Sequence, residues 1–173
     1  GGGICLPKEV QEALCGHPRF GPVASWEAEP EAKLRFDGFA GETRNSDLLV
    51  IAHDNHGQYI LAVEAKADES YGETVADAFA AALERRIENP RSKGLARIED
   101  LASAFLRPKS GRSVKAIEIR YQLLSACAGA VAEANRRGAN RAVMLVHEFV
   151  TPATSDAYHE RNAADLARFR VPL

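Results

Sequence analysis

Two carboxylates and an ammonium group stand close together in the stretch from Asn45 to Lys66. Asp47 precedes the apolar run 48–52, and after sixteen intervening residues Glu64 and Lys66 close the apolar run 59–63. Carboxylates held a few ångströms apart repel and raise each other's pKa unless a divalent cation neutralises them. Ligation by Asp47, Glu64, one main-chain carbonyl (that of Ala65) and waters is oxygen-only, which suits Mg²⁺ or Mn²⁺. Beside such an ion, Lys66 could position a water and help deprotonate it for attack on phosphorus.

These groups need a rigid frame. Both runs are rich in β-branched and aromatic residues and flank the turn signal Asp54-Asn55-His56-Gly57, so the segment reads as a β-hairpin in the middle of a layered sheet. Side chains alternate along a strand, which puts Glu64 and Lys66 on one face and Ala65 on the other. A loop with an even number of residues brings Asp47 across from Glu64 or Lys66 on that face, whereas an odd loop without a bulge sends it to the other.

Asp47 followed by Glu64-Ala65-Lys66 at a strand end resembles the Asp...Glu-x-Lys signature of the PD-(D/E)xK, or restriction-endonuclease-like, nuclease superfamily. The resemblance implies an α/β fold with an α-β-β-β-α-β core, in which a central mixed β-sheet of about four strands is flanked by helices. It further implies one or two Mg²⁺ ions on the two acidic residues and hydrolysis of a nucleic-acid phosphodiester, with DNA favoured over RNA as partner. The superfamily's usual Pro before the first acid is replaced here by Ser46. The continuation Glu64-Ala-Lys-Ala-Asp-Glu69 is also similar to a bacterial branch of the fold with no assigned substrate.

The 173 residues fit a single domain spanning 1–173, and the 46% hydrophobic, 27% charged composition is that of a globular protein. No apolar run of ~18 residues and no charged-then-apolar leader is present, so neither a membrane span nor a signal peptide is expected. Gly1-Gly2-Gly3 reads as a cloning scar or a shortened start. Three cysteines without metal spacing (Cys5, Cys15, Cys127) indicate structural thiols in a reducing cytoplasm. The net charge of −2 argues against a non-specific nucleic-acid coat protein. Charge is nonetheless polarised: residues 1–83 hold 6 basic and 14 acidic side chains, whereas 84–115 hold 9 and 4.

Along the chain, residues 7–15 read as a first helix with Val10, Leu14 and Cys15 on one face. In the superfamily a first-helix Glu sometimes joins the metal, which makes Glu9 or Glu12 a candidate; the other reading is an exposed carboxylate. Residues 16–32 read as loop, and 33–39 as a strand with Leu34 and Phe36 inward. Arg44 either neutralises a phosphate beside the metal or solvates the turn. Asp68 shares the face of Glu64 and Lys66 if the strand runs that far, as a further ligand or supporting carboxylate. Helices are expected at 73–88 (Val75, Phe79, Leu83, Ile87), at 95–106, at 114–137 (Ile117, Tyr121, Leu124, Ala128, Val131) and at 154–169 (Ala157, Ala164, Leu166, Phe169), with a strand over 141–150. Arg120 falls in the third helix's apolar stripe, where a guanidinium needs a carboxylate or a bound phosphate. Gln122 is a weaker substrate contact on a flanking face. His147 reads as a polar end to its strand.

The enzyme reading is a Mg²⁺-dependent nuclease. The alternative is a non-cleaving nucleic-acid-binding or structural module of the same fold, as a homodimer or within a larger defence or repair assembly. If the basic middle touches a phosphate backbone, reversing Arg107, Lys109 and Arg112 to Glu should weaken nucleic-acid binding and flatten its salt dependence, as fluorescence anisotropy over a salt series would show.

Overall fold

The structure, a computed structural model, describes residues 6–39, 43–106 and 116–170. A four-stranded mixed sheet has the order β1-β2-β3-β4, from β1 (Ser25–Leu34), β2 (Arg44–Asp54), β3 (Gly57–Lys66) and β4 (Ala142–Glu148). β1 and β3 run antiparallel to β2, and β4 is parallel to β3. Parallel pairing requires a crossover, here supplied by α2 (Val75–Glu88), α3 (Gly94–Phe105) and α4 (Tyr121–Arg136). α1 (Lys8–Cys15) precedes the sheet and α5 (Asp156–Arg170) follows it. The α/β class and the hairpin-then-crossover order thus agree with expectation.

β3 is the centre. Tyr59 to Glu64 are all buried, with Ile60 and Ala62 packed against Ala130 and Ala134 of α4, and Tyr59, Leu61 and Val63 against the α1 side with Leu6 and Leu14. α4 lies close because its sheet-facing residues are small. A Cβ on Gly129 would come within 3.2 Å of Leu34. Gly138, at φ 69°, ends the helix, and Ala139 returns its N–H to the Ala134 carbonyl at 2.9 Å. α2 starts on a reciprocal cap between Thr74 and Asp77.

At the far end of the hairpin the turn has two residues, Asn55 and His56, with Gly57 at φ 102°. Asp54 and Arg141 form a buried bidentate pair there, both bonds 2.7 Å. Asp54 also accepts from the Gly21 and His56 N–H groups, while the Arg141 guanidinium lies over the Phe20 and Tyr59 rings. This pair locks the 16–24 segment and the start of β4 to the hairpin.

Several sequence expectations are corrected. Residues 25–32 form most of β1 and are not loop: an edge strand tolerates the charges of Glu27, Glu29 and Lys33 because its outer side is exposed. That strand ends at Leu34, so Phe36 lies beyond it. In α2 the buried face is Val75, Ala78 and Ala82, leaving Phe79, Leu83 and Ile87 exposed. Short alanines allow close packing against α3 at Ile98 and Leu101. α4 begins at Tyr121 after a 3₁₀ turn (Ala116–Glu118), with Arg120 extended at its N-cap, so neither Arg120 nor the exposed Ile117 lies on a helical stripe. Val131 is likewise exposed. α5 buries Asn162, Asp165 and Phe169, with Ala157 and Ala164 outside. Cys15 is exposed.

The Arg141 hydrogen bonds, the largest influence, hold the Asp54 carboxyl well below its ordinary value of 3.8. A lowered pKa stabilises the fold above the unfolded value, and the gain fades as pH falls through the folded one. Asp54→Asn is therefore expected to cost about 3–5 kcal/mol near neutrality, because Arg141 is left buried without its counter-charge. Urea melts should find that deficit full at about pH 5–7 and shrinking below about pH 4.

Candidate metal and phosphate site

The β2–β3 ladder runs from Asp54–Gly57 to Leu48–Val63 and stops one step short of Asp47 and Glu64. The even loop keeps these two residues opposite in register. A shift in side-chain order changes what each of them meets. Arg44 and Leu49, five residues apart, would face opposite sides of a regular strand. Both nonetheless serve the α4 face: Leu49 packs with Ile60 and Ala130, while Arg44 donates to Ser125 Oγ of α4 at 3.1 Å. The shift falls where Glu31 and Asp47 drop out of the β1–β2 pairing, with Glu31 at φ 50°. Ser46, fully buried, lays its Oγ 3.1 Å from the Leu48 and Val63 carbonyls at the same point.

Glu64 consequently meets a guanidinium. Its Oε1 accepts from Arg44 Nη2 and its Oε2 accepts from Gln122 Nε2 of the first turn of α4 at 2.7 Å. Only 2% of Glu64 is exposed. Burial, the dominant influence, raises its pKa in spite of Arg44, and the Asp47 charge raises it further. Asp47 is half-buried, and its Oδ2 accepts the Ala65 N–H at 2.6 Å. Lys66, 4% exposed, puts Nζ 3.4 Å from the outward-reaching Glu69.

Arg44, Lys66, Gln122 and Ser125 line a cleft of about 530 Å³, together with Phe36, Tyr71, Arg97 and Tyr121. Glu64 sits behind Arg44 and Gln122 and not on the cleft wall. Burial pushes the Tyr71 hydroxyl up to about 12, helped by the charges of Glu148, Asp165 and Glu64, so it stays protonated beside them. Ser125 and Tyr71 line the cleft although their spacing did not mark them, and Arg97, one of the basic side chains of 84–115, lines it while paired with Asp37. Ser125 resembled the small packing residues around it, and the aromatic groups come from loops and helix ends.

Other expected participants lie elsewhere. Arg120 Nε donates to Asp165 Oδ2 and its Nη1 to the Gly72 carbonyl, each at 2.7 Å, so its anion is a carboxylate. Asp68 accepts the Ser155 N–H at 2.8 Å, tying down the chain before α5. Glu12 is exposed on α1, on the other face of the sheet, where it pairs with Lys8; Glu9 is exposed on the same helix. Cys127 has its thiol pushed up to about 11 by burial and is an unreactive packing group. His147 stacks on Phe149, with ring centroids 4.3 Å apart. Arg107, Lys109 and Arg112 lie outside the described residues.

Among the described residues no three His, Cys, Asp or Glu side chains converge as a metal cluster. Asp47 Oδ1, Glu64 Oε1 and the Ala65 carbonyl remain as an oxygen donor set, and Mg²⁺, which keeps several waters, asks for little more. The residues fit such an ion on condition that Arg44 leaves Oε1. Arg44 Nε is buried and without a hydrogen-bond partner, as is Arg141 Nε.

A family model described as "Domain of unknown function (DUF6946)" matches residues 2–172. No curated protein and no solved structure matches the chain. No helix among the described residues is long and apolar enough to cross a membrane.

Because Arg120 is tied to Asp165 and Gly72, Arg120→Ala is expected to lower stability by about 1–3 kcal/mol. That is a fall of about 2–4 °C in melting temperature per kcal/mol, with Mn²⁺ affinity as in the wild type; thermal melts beside calorimetry check it.

Proposed function

We propose that this chain, which belongs to the family described as a domain of unknown function (DUF6946), is a metal-dependent nuclease that hydrolyses nucleic-acid phosphodiester bonds through Asp47, Glu64 and Lys66. One observation carries the proposal: a carboxylate removed from water at the end of the central strand, with a second carboxylate opposite it in register and, two residues on, a buried lysine that lines a cleft of about 530 Å³. A domain without use for a cation gains little from burying acids in this way. The mixed sheet with its hairpin-then-crossover order supports a restriction-endonuclease-like core.

Asp47 Oδ1, Glu64 Oε1 and the Ala65 carbonyl would hold Mg²⁺ or Mn²⁺, which when bound polarises a phosphoryl oxygen and acidifies a water. Gln122 fixes the Glu64 carboxylate, and the Ala65 N–H fixes that of Asp47, so both are oriented before substrate arrives. Lys66 Nζ faces the cleft, where it orients the attacking water and offsets the negative charge that grows on the phosphoryl oxygens. Tyr71, protonated, offers a donor to the same region. DNA or RNA would lie across Arg44, Lys66 and Arg97, with the basic 84–115 segment as its further contact.

The Arg44–Glu64 pair favours a second reading, the non-cleaving module of the same fold, in which the guanidinium stays as the permanent counter-charge. Point variants separate the two. Lys66→Ala should leave Mn²⁺ binding intact and remove about 10²–10⁴-fold of turnover, the range of a positioned acid or base. Asp47→Ala should abolish metal binding and turnover together. Calorimetry beside a cleavage panel of single- and double-stranded DNA and RNA, with and without Mg²⁺, reads both; wild-type protein that binds no divalent ion at millimolar concentration would leave the module in place of the enzyme.

A further inference from the structure

Arg44 is held by two acceptors on opposite sides of its guanidinium. Its side chain is 9% exposed, Nη2 is on Glu64 and Nη1 on Ser125, while Nε is buried without a partner. The residue forms part of the cleft wall and Glu64 does not, so the guanidinium stands between the carboxylate and whatever enters the cleft. The fork of an arginine matches two oxygens of a phosphate, and here one of its donors is unused.

Resting on the nuclease reading, we propose that Arg44 is the stand-in cation of the empty site and exchanges places with the divalent ion. With no metal, Arg44 neutralises the buried Glu64 carboxylate. When a cation takes Oε1, Arg44 turns into the cleft and binds a substrate phosphate, its Nε and Nη2 both occupied. No covalent bond is made or broken; one positive charge replaces another at Glu64. Ser125 serves as the pivot, and Gly129, lacking a Cβ, leaves space beside Arg44 Cδ.

The exchange makes metal and nucleic acid help each other, since each relieves the cost of moving Arg44, and such coupling is reciprocal. It also explains why Arg44 sits on the α4 face through a shift in strand order: a regular strand would have aimed it away from Glu64.

The test is calorimetric titration of Mn²⁺ into the full chain, alone and with a short duplex bearing non-cleavable phosphorothioate linkages. Arg44→Gln, which removes the competing cation, should bind Mn²⁺ between about 5- and 150-fold more tightly than the wild type without nucleic acid, the range of ordinary site coupling. The duplex should tighten Mn²⁺ binding to the wild type and have no such effect on the variant. Ser125→Ala, which loosens Arg44 without touching a carboxylate, should shift metal affinity the same way by a smaller factor and serves if Arg44→Gln does not fold. Mn²⁺ binding that is equal or weaker in both variants, with the wild type binding, would overturn the exchange and leave the metal site standing. Absence of binding in wild type and both variants would overturn the nuclease reading and the exchange with it.

Discussion

A carboxylate buried at the end of the central strand has to be compensated, and the upper half of this protein is arranged around that requirement. Glu64 has left water, its proton affinity has risen with burial, and its two oxygens are met by a guanidinium from β2 and an amide from α4. An uncompensated ion there would cost several kcal/mol, so an Arg, a metal ion or a proton must always be present.

The backbone makes the pairing available. A stretch of regular β-structure would have alternated Arg44 to the α1 side, leaving Glu64 to face α4 alone. The irregularity at Glu31 and Asp47 shifts β1 and β2 together, keeps Ala32 and Leu34 on the α4 face, and carries Arg44 with them. Ser46 covers the carbonyls left at the ladder's end, and the Asp47 carboxylate takes the Ala65 N–H. The Ser46 hydroxyl serves this chain by satisfying acceptors at the same irregularity. At the opposite end of the hairpin, Asp54 meets a similar requirement through two hydrogen bonds from Arg141 and the N–H groups of Gly21 and His56.

Much of this was legible in the residues. The central hairpin and β4 are dense in apolar, β-branched groups, so their existence follows from composition; whether Asp47 meets Glu64 or Lys66, or neither, depends on the turn length, which the structure sets at two residues. β1 was hidden because an exposed edge strand needs no apolar face, and Glu27, Glu29 and Pro30 read as loop. The spacing of large apolar side chains in α2 points to a face through Phe79 and Leu83, whereas the close approach of α3 selects Val75, Ala78 and Ala82 and leaves those two outside. Arg120 looked like a stripe residue only if a helix began at 114; an extended Arg120, bridged to Thr74, puts it at a helix start beside Asp165. Within the site, Asp47, Glu64, Lys66, Arg44 and Gln122 were all visible by type. The Arg44–Glu64 contact was not, because it depends on a local loss of alternation that no periodicity reveals.

Anomalous diffraction from crystals soaked in Mn²⁺ tests the central claim most directly. The account predicts a single strong peak roughly 2.1–2.5 Å from oxygens of both Asp47 and Glu64, with the Arg44 guanidinium withdrawn from Glu64 into the cleft. Crystals that take up Mn²⁺ elsewhere, or not at all, with Arg44 still seated on Glu64, would contradict it.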